Sequence, residues 1–165
     1  MILPVNLNQK RYAFKLTHEV YSDKRANGFK DLCFSKKHPM KIEYEGFLGE
    51  IIMADFFGLP RPKLIKGRVD SGKDLTYSGK NLEVKTYRPF NGQTIKEPDF
   101  ILEPKALEKT PDAFVFVVLD SSAWKAEVKA IGFHEFVEKA QEKDYGYGKR
   151  LFIPFYELRE LKEVV

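Results

Sequence analysis

The sequence predicts an α/β fold of the α+β kind: a central mixed β-sheet flanked by helices, with an N-terminal helical arm. Three observations predict it. A broad helical stripe of apolar residues spans 43–57 and is stopped by Gly58 and Pro60. Residues 74–85 alternate in polarity around Ser78-Gly79, a turn pair, as a β-hairpin does. Residues 113–119 are apolar at every position, the pattern of a strand covered on both faces. A chain of 165 residues, 43% hydrophobic and 14% aromatic, suits one domain with a substantial core. Within it, 1–41 reads as a basic helical arm and 42–165 as the core.

Along the chain, 7–26 reads as an amphipathic helix, with Leu7, Phe14, Val20 and Tyr21 toward the core, Lys10, Arg11, Lys15, Lys24 and Arg25 outward, and Gly28 past its end. A basic link follows over 29–41, in which Lys36-Lys37-His38 is a candidate phosphate contact. In the helix over 43–57, Phe47, Leu48, Ile51, Ile52, Phe56 and Phe57 form the apolar stripe, and Glu43 and Glu45 suit the positive end of its dipole. Gly46 and Gly49 lie inside it. Each interior glycine costs about 1 kcal/mol relative to alanine, which close backbone approach to the sheet or to a ligand would offset. Residues 64–70 read as a first strand ending near Asp70, a further candidate carboxylate. After the hairpin comes a polar loop over 89–98, then the apolar strand. Trp124, Ala126, Val128 and Ala130 alternate with charged residues as a neighbouring strand. A short helix over 134–140, an aromatic and basic turn over 145–150, an edge strand over 151–155 ending at Pro154, and a closing helix over 156–163 complete the chain.

One cysteine, Cys33, excludes an intramolecular disulfide and a cysteine-rich zinc site. The opening Met-Ile-Leu-Pro-Val-Asn is too short and uncharged to read as a signal peptide, and the longest apolar run is far below the roughly 20 residues of a membrane span. A cytoplasmic setting is expected. The net charge of +4 is uneven: 1–41 hold nine Lys or Arg against three acids, a net +6, and the remainder nets −2. A basic arm beside a carboxylate-bearing core suits a polyanionic partner. The three histidines lack metal-ligand spacing, and the chain has neither a phosphate-cradling glycine loop nor a Gly-x-Ser-x-Gly elbow.

The hairpin carries the chemistry. A two-residue turn at Ser78-Gly79 sets Leu75 opposite Leu82 and Asp74 opposite Glu83, with Cβ atoms roughly 5 Å apart. Lys85, two residues beyond Glu83, shares its side of the strand. Leu75, Leu82 and Val84 then take one face, and two carboxylates and an amine take the other. Adjacent carboxylates repel unless a cation joins them. Magnesium and manganese take such oxygen ligands, and a neighbouring amine can orient an attacking water. Four Glu-x-Lys triplets occur, at 83–85, 103–105, 127–129 and 160–162, so the triplet alone is not specific. The rival is Glu127 to Lys129 with Asp120 upstream.

Asp74, eight residues and then Glu83-Val84-Lys85, with Lys73 before the aspartate, resembles the core motif of the PD-(D/E)XK nucleases, the restriction-endonuclease-like superfamily. Gly46-Phe47-Leu48-Gly49-Glu50 resembles the Gly-x-x-Gly-Glu helix that precedes that hairpin in many members. The resemblance covers residues 43 to about 140. It implies a restriction-endonuclease-like core and Mg2+- or Mn2+-dependent hydrolysis of DNA phosphodiesters. Asp74, Glu83 and the Val84 carbonyl would be ligands, Lys85 would orient or activate water, and Glu50, with Glu45 as fallback, would assist at the metal. Arg88, Lys10, Arg11, Lys36 and Lys37 are candidate DNA contacts, and a homodimer is expected by resemblance. The alternative is a non-catalytic nucleic-acid-binding protein whose acids are solvated.

Overall fold

Ser78 and Gly79 both have positive φ, 49° and 80°, the backbone a tight two-residue hairpin turn requires. They set the register expected from the sequence, Leu75 opposite Leu82 and Tyr77 opposite Lys80. The computed structural model describes residues 1–28, 38–64, 74–89, 98–120, 122–144, 146 and 148–165. In chain order these form β1 (Ile2–Pro4), α1 (Leu7–Ala26), α2 (Pro39–Phe57), β2 (Leu75–Tyr77), β3 (Lys80–Tyr87) and β4 (Phe100–Leu102). A 3₁₀ turn (Pro104–Lys109) leads to β5 (Ala113–Leu119), β6 (Lys125–Gly132), α3 (Phe133–Lys139), β7 (Gln141–Asp144), β8 (Lys149–Ile153) and β9 (Arg159–Glu160). The expected strand at 64–70 and Asp70 lie outside the described residues, as do Lys36 and Lys37.

The main sheet is mixed, in the order β1-β6-β5-β3-β2; β3 and β5 run parallel and the other pairs antiparallel. The outer edge of β6 is shared, by β1 at Lys125 to Glu127 and by β9 at Lys129 and Ala130. A smaller antiparallel sheet, β4-β8-β7, stands apart. β5 is apolar throughout because both its faces are covered. On one face Val115 and Val117 join Leu82 and Val84 under Leu48, Ile51 and Ile52 of α2. On the other, Phe114 and Phe116 join Phe100, Phe136, Ile153 and Phe155. The fold is α+β, a curled mixed sheet flanked by helices.

The structure departs from the sequence reading at several points. α1 turns Gln9, Ala13, Leu16 and Thr17 inward and leaves Leu7 and Phe14 exposed, because its inner face lies against α2 rather than against a broad apolar surface. α2 begins at Pro39, capped by the His38 side chain, so Glu43 and Glu45 fall past its first turn and Glu45 is buried. Its C-cap, Gly58 in the left-handed conformation, is as expected. Trp124 precedes β6 and is 49% exposed, while Ala126, Val128 and Ala130 are buried as their alternation requires. Residues 156–163 form two short 3₁₀ turns around β9 instead of a helix, because Arg159 and Glu160 pair with β6. Within residues 1–28, β1 pairs with β6 and α1 packs on α2.

Candidate active site

β3 presents Glu83, Lys85 and Tyr87 on the face that carries Phe114, Phe116 and Val118 of β5, their partners in register. Glu83 is 1% exposed. A carboxylate buried so deeply requires compensating charge. Its Oε1 accepts from Lys85 Nζ at 2.5 Å and from Lys109 Nζ at 2.9 Å; its Oε2 is buried and has no hydrogen-bond partner among the described residues. The pairing with Lys85 follows from the alternation of β3, since residues two apart share a face. The pairing with Lys109 does not. That lysine ends the 3₁₀ turn leading toward β5, and nothing in its own neighbourhood marks it.

Asp74 lies one residue before β2 begins and is half-buried. Its Oδ2 accepts from the backbone N–H of Val84 at 2.7 Å. Asp74 thus meets β3 through the Val84 amide. In a strand the N–H and C=O of one residue point to the same edge, so the Val84 carbonyl is on the Asp74 side. Val84's own side chain is buried under α2. A cleft of about 420 Å³ opens beside this hairpin, lined by Lys85, Thr86, Tyr87, Pro98, Asp99, Ile101 and Phe116. Lys85 lines it together with a carboxylate, Asp99, that the sequence did not single out.

Gly49 explains how α2 approaches β3. A Cβ at this position would stand 1.9 Å from Thr86 Oγ1, so only glycine allows the contact. Gly46 meets nothing within 4 Å and has no such packing reason. Glu50, half-buried, follows Gly49 on the helix that covers the Leu82, Val84 and Thr86 face. Glu83 and Lys85 project from the other face. Glu45, one turn earlier, is buried and reaches the Tyr87 end of β3. Burial raises the Tyr87 hydroxyl above its ordinary pKa, and the Glu45 charge adds to the rise. Burial also raises Tyr44, opposed by Arg88 and reinforced by Glu45.

Of the basic candidates, Lys10 is within reach of the charge of Arg88. Burial lowers the Lys10 ammonium and the Arg88 charge lowers it further, against the opposing pull of Asp120. Lys10 donates to Ser122 O at 3.2 Å and stands over the Trp124 ring, 3.2 Å from its centroid. Arg11 is exposed on α1. The rival triplet is built into the scaffold. Asp120 Oδ1 accepts from Trp124 N at 2.9 Å and Ser122 Oγ at 3.0 Å, closing the turn before β6. Lys129 Nζ is 2.5 Å from Glu160, whose other oxygen takes the Met1 amino group at 2.7 Å. Glu127 pairs with Ile2 and Val118 on neighbouring strands.

Among the described residues no group of three or more His, Cys, Asp or Glu is gathered closely enough to hold a metal ion. The oxygen donors at the hairpin nevertheless suit a hard divalent cation: the bare Oε2 of Glu83, the Asp74 carboxylate and the Val84 carbonyl. No helix among the described residues is long and apolar enough to cross a membrane. Compared with known proteins, the chain matches no family model and no curated protein.

Proposed function

We propose that the chain is a Mg2+- or Mn2+-dependent deoxyribonuclease with a restriction-endonuclease-like core, a member of the PD-(D/E)XK superfamily acting as an endonuclease on cytoplasmic DNA. The observation that carries this reading is the buried Glu83 paired with Lys85, which lines a cleft, with Asp74 on the Val84 amide of the same strand. A catalytic constellation needs ionisable groups held on a rigid strand with access for substrate; β3 holds Glu83 and Lys85, and the cleft reaches Lys85.

Asp74, Glu83 and the Val84 carbonyl would hold the metal; the resemblance assigns Glu50 an assisting role, although α2 covers the face of β3 opposite Glu83 and Lys85. The ion, when bound, supplies Lewis acidity at the scissile phosphate. Lys85 orients the attacking water and offsets charge that develops on the phosphate. Arg88 and Lys10, with Arg11, Lys36 and Lys37, hold the phosphate backbone of the DNA. A homodimer is part of the same proposal, by resemblance alone.

A second reading is supported by one contact. Glu83 Oε1 carries two ammonium groups, Lys85 and Lys109, which is also how a purely structural buried ion pair is neutralised. On that reading the protein binds nucleic acid without cutting it. Plasmid incubated with protein and Mg2+ or Mn2+ decides between them. Cleavage by the wild type, lost on the order of a hundredfold or more in Glu83→Gln and Lys85→Ala and kept in Glu127→Ala, supports the nuclease. Binding without metal-dependent cutting supports the second reading, and loss in Glu127→Ala alone moves the site to β6.

A further inference from the structure

Three kinds of chemistry line the cleft beside β3. The first is the Lys85 ammonium. Its side chain is 35% exposed, and an ammonium has three N–H donors, of which Glu83 Oε1 takes one. The second is apolar and aromatic surface from Tyr87 of β3 and Phe116 of β5. The third comes from the start of β4. Phe100 and Leu102 are buried in the smaller core, so alternation turns Asp99 and Ile101 the other way, and both line the cleft. Ile101 is 42% exposed, a large apolar side chain that the core does not use, and Asp99 is exposed.

An ammonium, an apolar surface and a carboxylate complement the parts of one nucleotide: a phosphate, a flat ring, and N–H donors on the edge of that ring. The volume, about 420 Å³, lies within the roughly 300–1,000 Å³ of small-molecule sites. A base stacked in a duplex cannot enter a concave site, so the base that enters is unpaired or extruded. An ionised carboxylate also chooses among bases, because it offers acceptors only. Guanine alone sets two N–H donors side by side on its Watson–Crick edge, at N1 and N2. On cytosine and adenine a donor adjoins an acceptor nitrogen, and on thymine the one donor lies between two carbonyl oxygens.

We propose that this cleft is a nucleotide subsite for an unpaired guanine of DNA: Asp99 reads its Watson–Crick edge, Ile101, Tyr87 and Phe116 contact its ring, and Lys85 meets its phosphate. The setting rests on the nuclease reading, which makes the substrate a DNA with an unpaired guanine beside the cut. The guanine preference itself rests on the chemistry of the cleft and is read without cutting.

Fluorescence anisotropy in metal-free buffer tests it, with labelled duplexes that are fully paired or carry one unpaired G, A, C or T at the centre. The intact wild type is expected to bind the unpaired-G duplex about tenfold more tightly than the other four, the order of discrimination a bidentate pair supplies. Asp99→Asn, which replaces one acceptor by a donor, is expected to bring unpaired G to the level of the other bases. Asp99→Ala, with no acceptor, gives the same loss should the amide variant misfold. Ile101→Ala is expected to weaken every unpaired-base duplex and leave the paired one unchanged. A wild type without a guanine preference, or a preference that survives in both Asp99 variants, overturns the proposal. Plasmid cleavage with Mg2+ or Mn2+ is scored separately. Cutting without the guanine preference overturns the subsite and leaves the nuclease. The preference, lost with Asp99, in a wild type that never cuts supports the subsite and overturns the nuclease. A wild type that binds none of the duplexes overturns both.

Discussion

Asp55 shows how one carboxylate ties three segments of this chain together. Arg61 grips it bidentately, Nε to Oδ1 at 2.6 Å and Nη2 to Oδ2 at 2.7 Å, while Gln9 Nε2 donates to Oδ2 at 2.9 Å. Gln9 in turn completes the capping box of α1 with Asn6. The Arg61 hydrogen bonds hold the Asp55 carboxyl below its ordinary pKa, with a smaller contribution from Gln9 and against the effect of burial. A depressed acid stabilises the fold above its unfolded-state pKa and loses that contribution as pH falls through the folded one. The contribution of Asp55 is therefore full at neutral pH and is lost only below roughly pH 4. Asp55→Asn is expected to cost about 1–2 kcal/mol at pH 7 by chemical denaturation and to flatten the loss of stability below roughly pH 4. An unchanged acid slope in the variant would remove Asp55 from the account. The same scale explains what sequence could and could not reveal of the site. The Glu83–Lys85 pair is legible because strand alternation alone places both on one face. Lys109 is not, because its contact joins elements that only the fold brings together. For Asp74, a position opposite Glu83 follows from the turn, whereas the hydrogen bond of its carboxylate to the Val84 N–H is visible only in the structure.

At the scale of elements, Gly49 sets how closely α2 approaches the hairpin. Gly49→Ala forces Thr86 or the helix to move, since the added Cβ has no room. A cost of about 1–3 kcal/mol is expected, the range for overpacking a well-packed contact. Gly46→Ala meets open space and is expected to gain up to about 1 kcal/mol from helix propensity. Paired thermal melts check both, and equal effects at the two positions would contradict the packing argument. On the nuclease reading, a stabilised Gly46→Ala that cuts poorly would mean this glycine lets the helix approach DNA. The sequence stripe identified α2 and its Gly58 stop because burial and capping act locally. It missed that α1 is nearly flat against α2 and leaves Phe14 outside, since helix-on-helix packing uses small residues such as Ala13 that no apolar count favours. It also read 156–163 as a helix, where pairing of β9 with the edge of β6 overrides local propensity.

For the whole molecule, the balance of charge is the property that most directly predicts behaviour. Residues 1–41 net +6 and the remainder nets −2. The structure joins its described part, residues 1–28, to the rest: β1 pairs with the edge of β6, α1 packs on α2, and Lys10 feels the charge of Arg88. The mixed sheet was foreseeable from its central apolar strand, whereas the union of arm and core depends on a three-residue strand too short to announce itself. If this basic surface meets DNA, each phosphate contact contributes a counterion to the salt dependence, and log affinity falls linearly with log salt. Arg11 is exposed and Lys10 is committed, to Ser122 O and the Trp124 ring. Their neutralisation must therefore differ. Arg11→Gln is expected to reduce the salt slope for duplex binding by about one and to leave the melting temperature unchanged. Lys10→Gln is expected to reduce the slope by a similar amount, lower the melting temperature, and shift the emission of Trp124, the only tryptophan in the chain. Anisotropy of a labelled duplex across a sodium chloride series, alongside melts and tryptophan spectra, reads all three. An unaltered slope in both variants would place the DNA surface elsewhere, since a phosphate contact cannot be lost without its counterion.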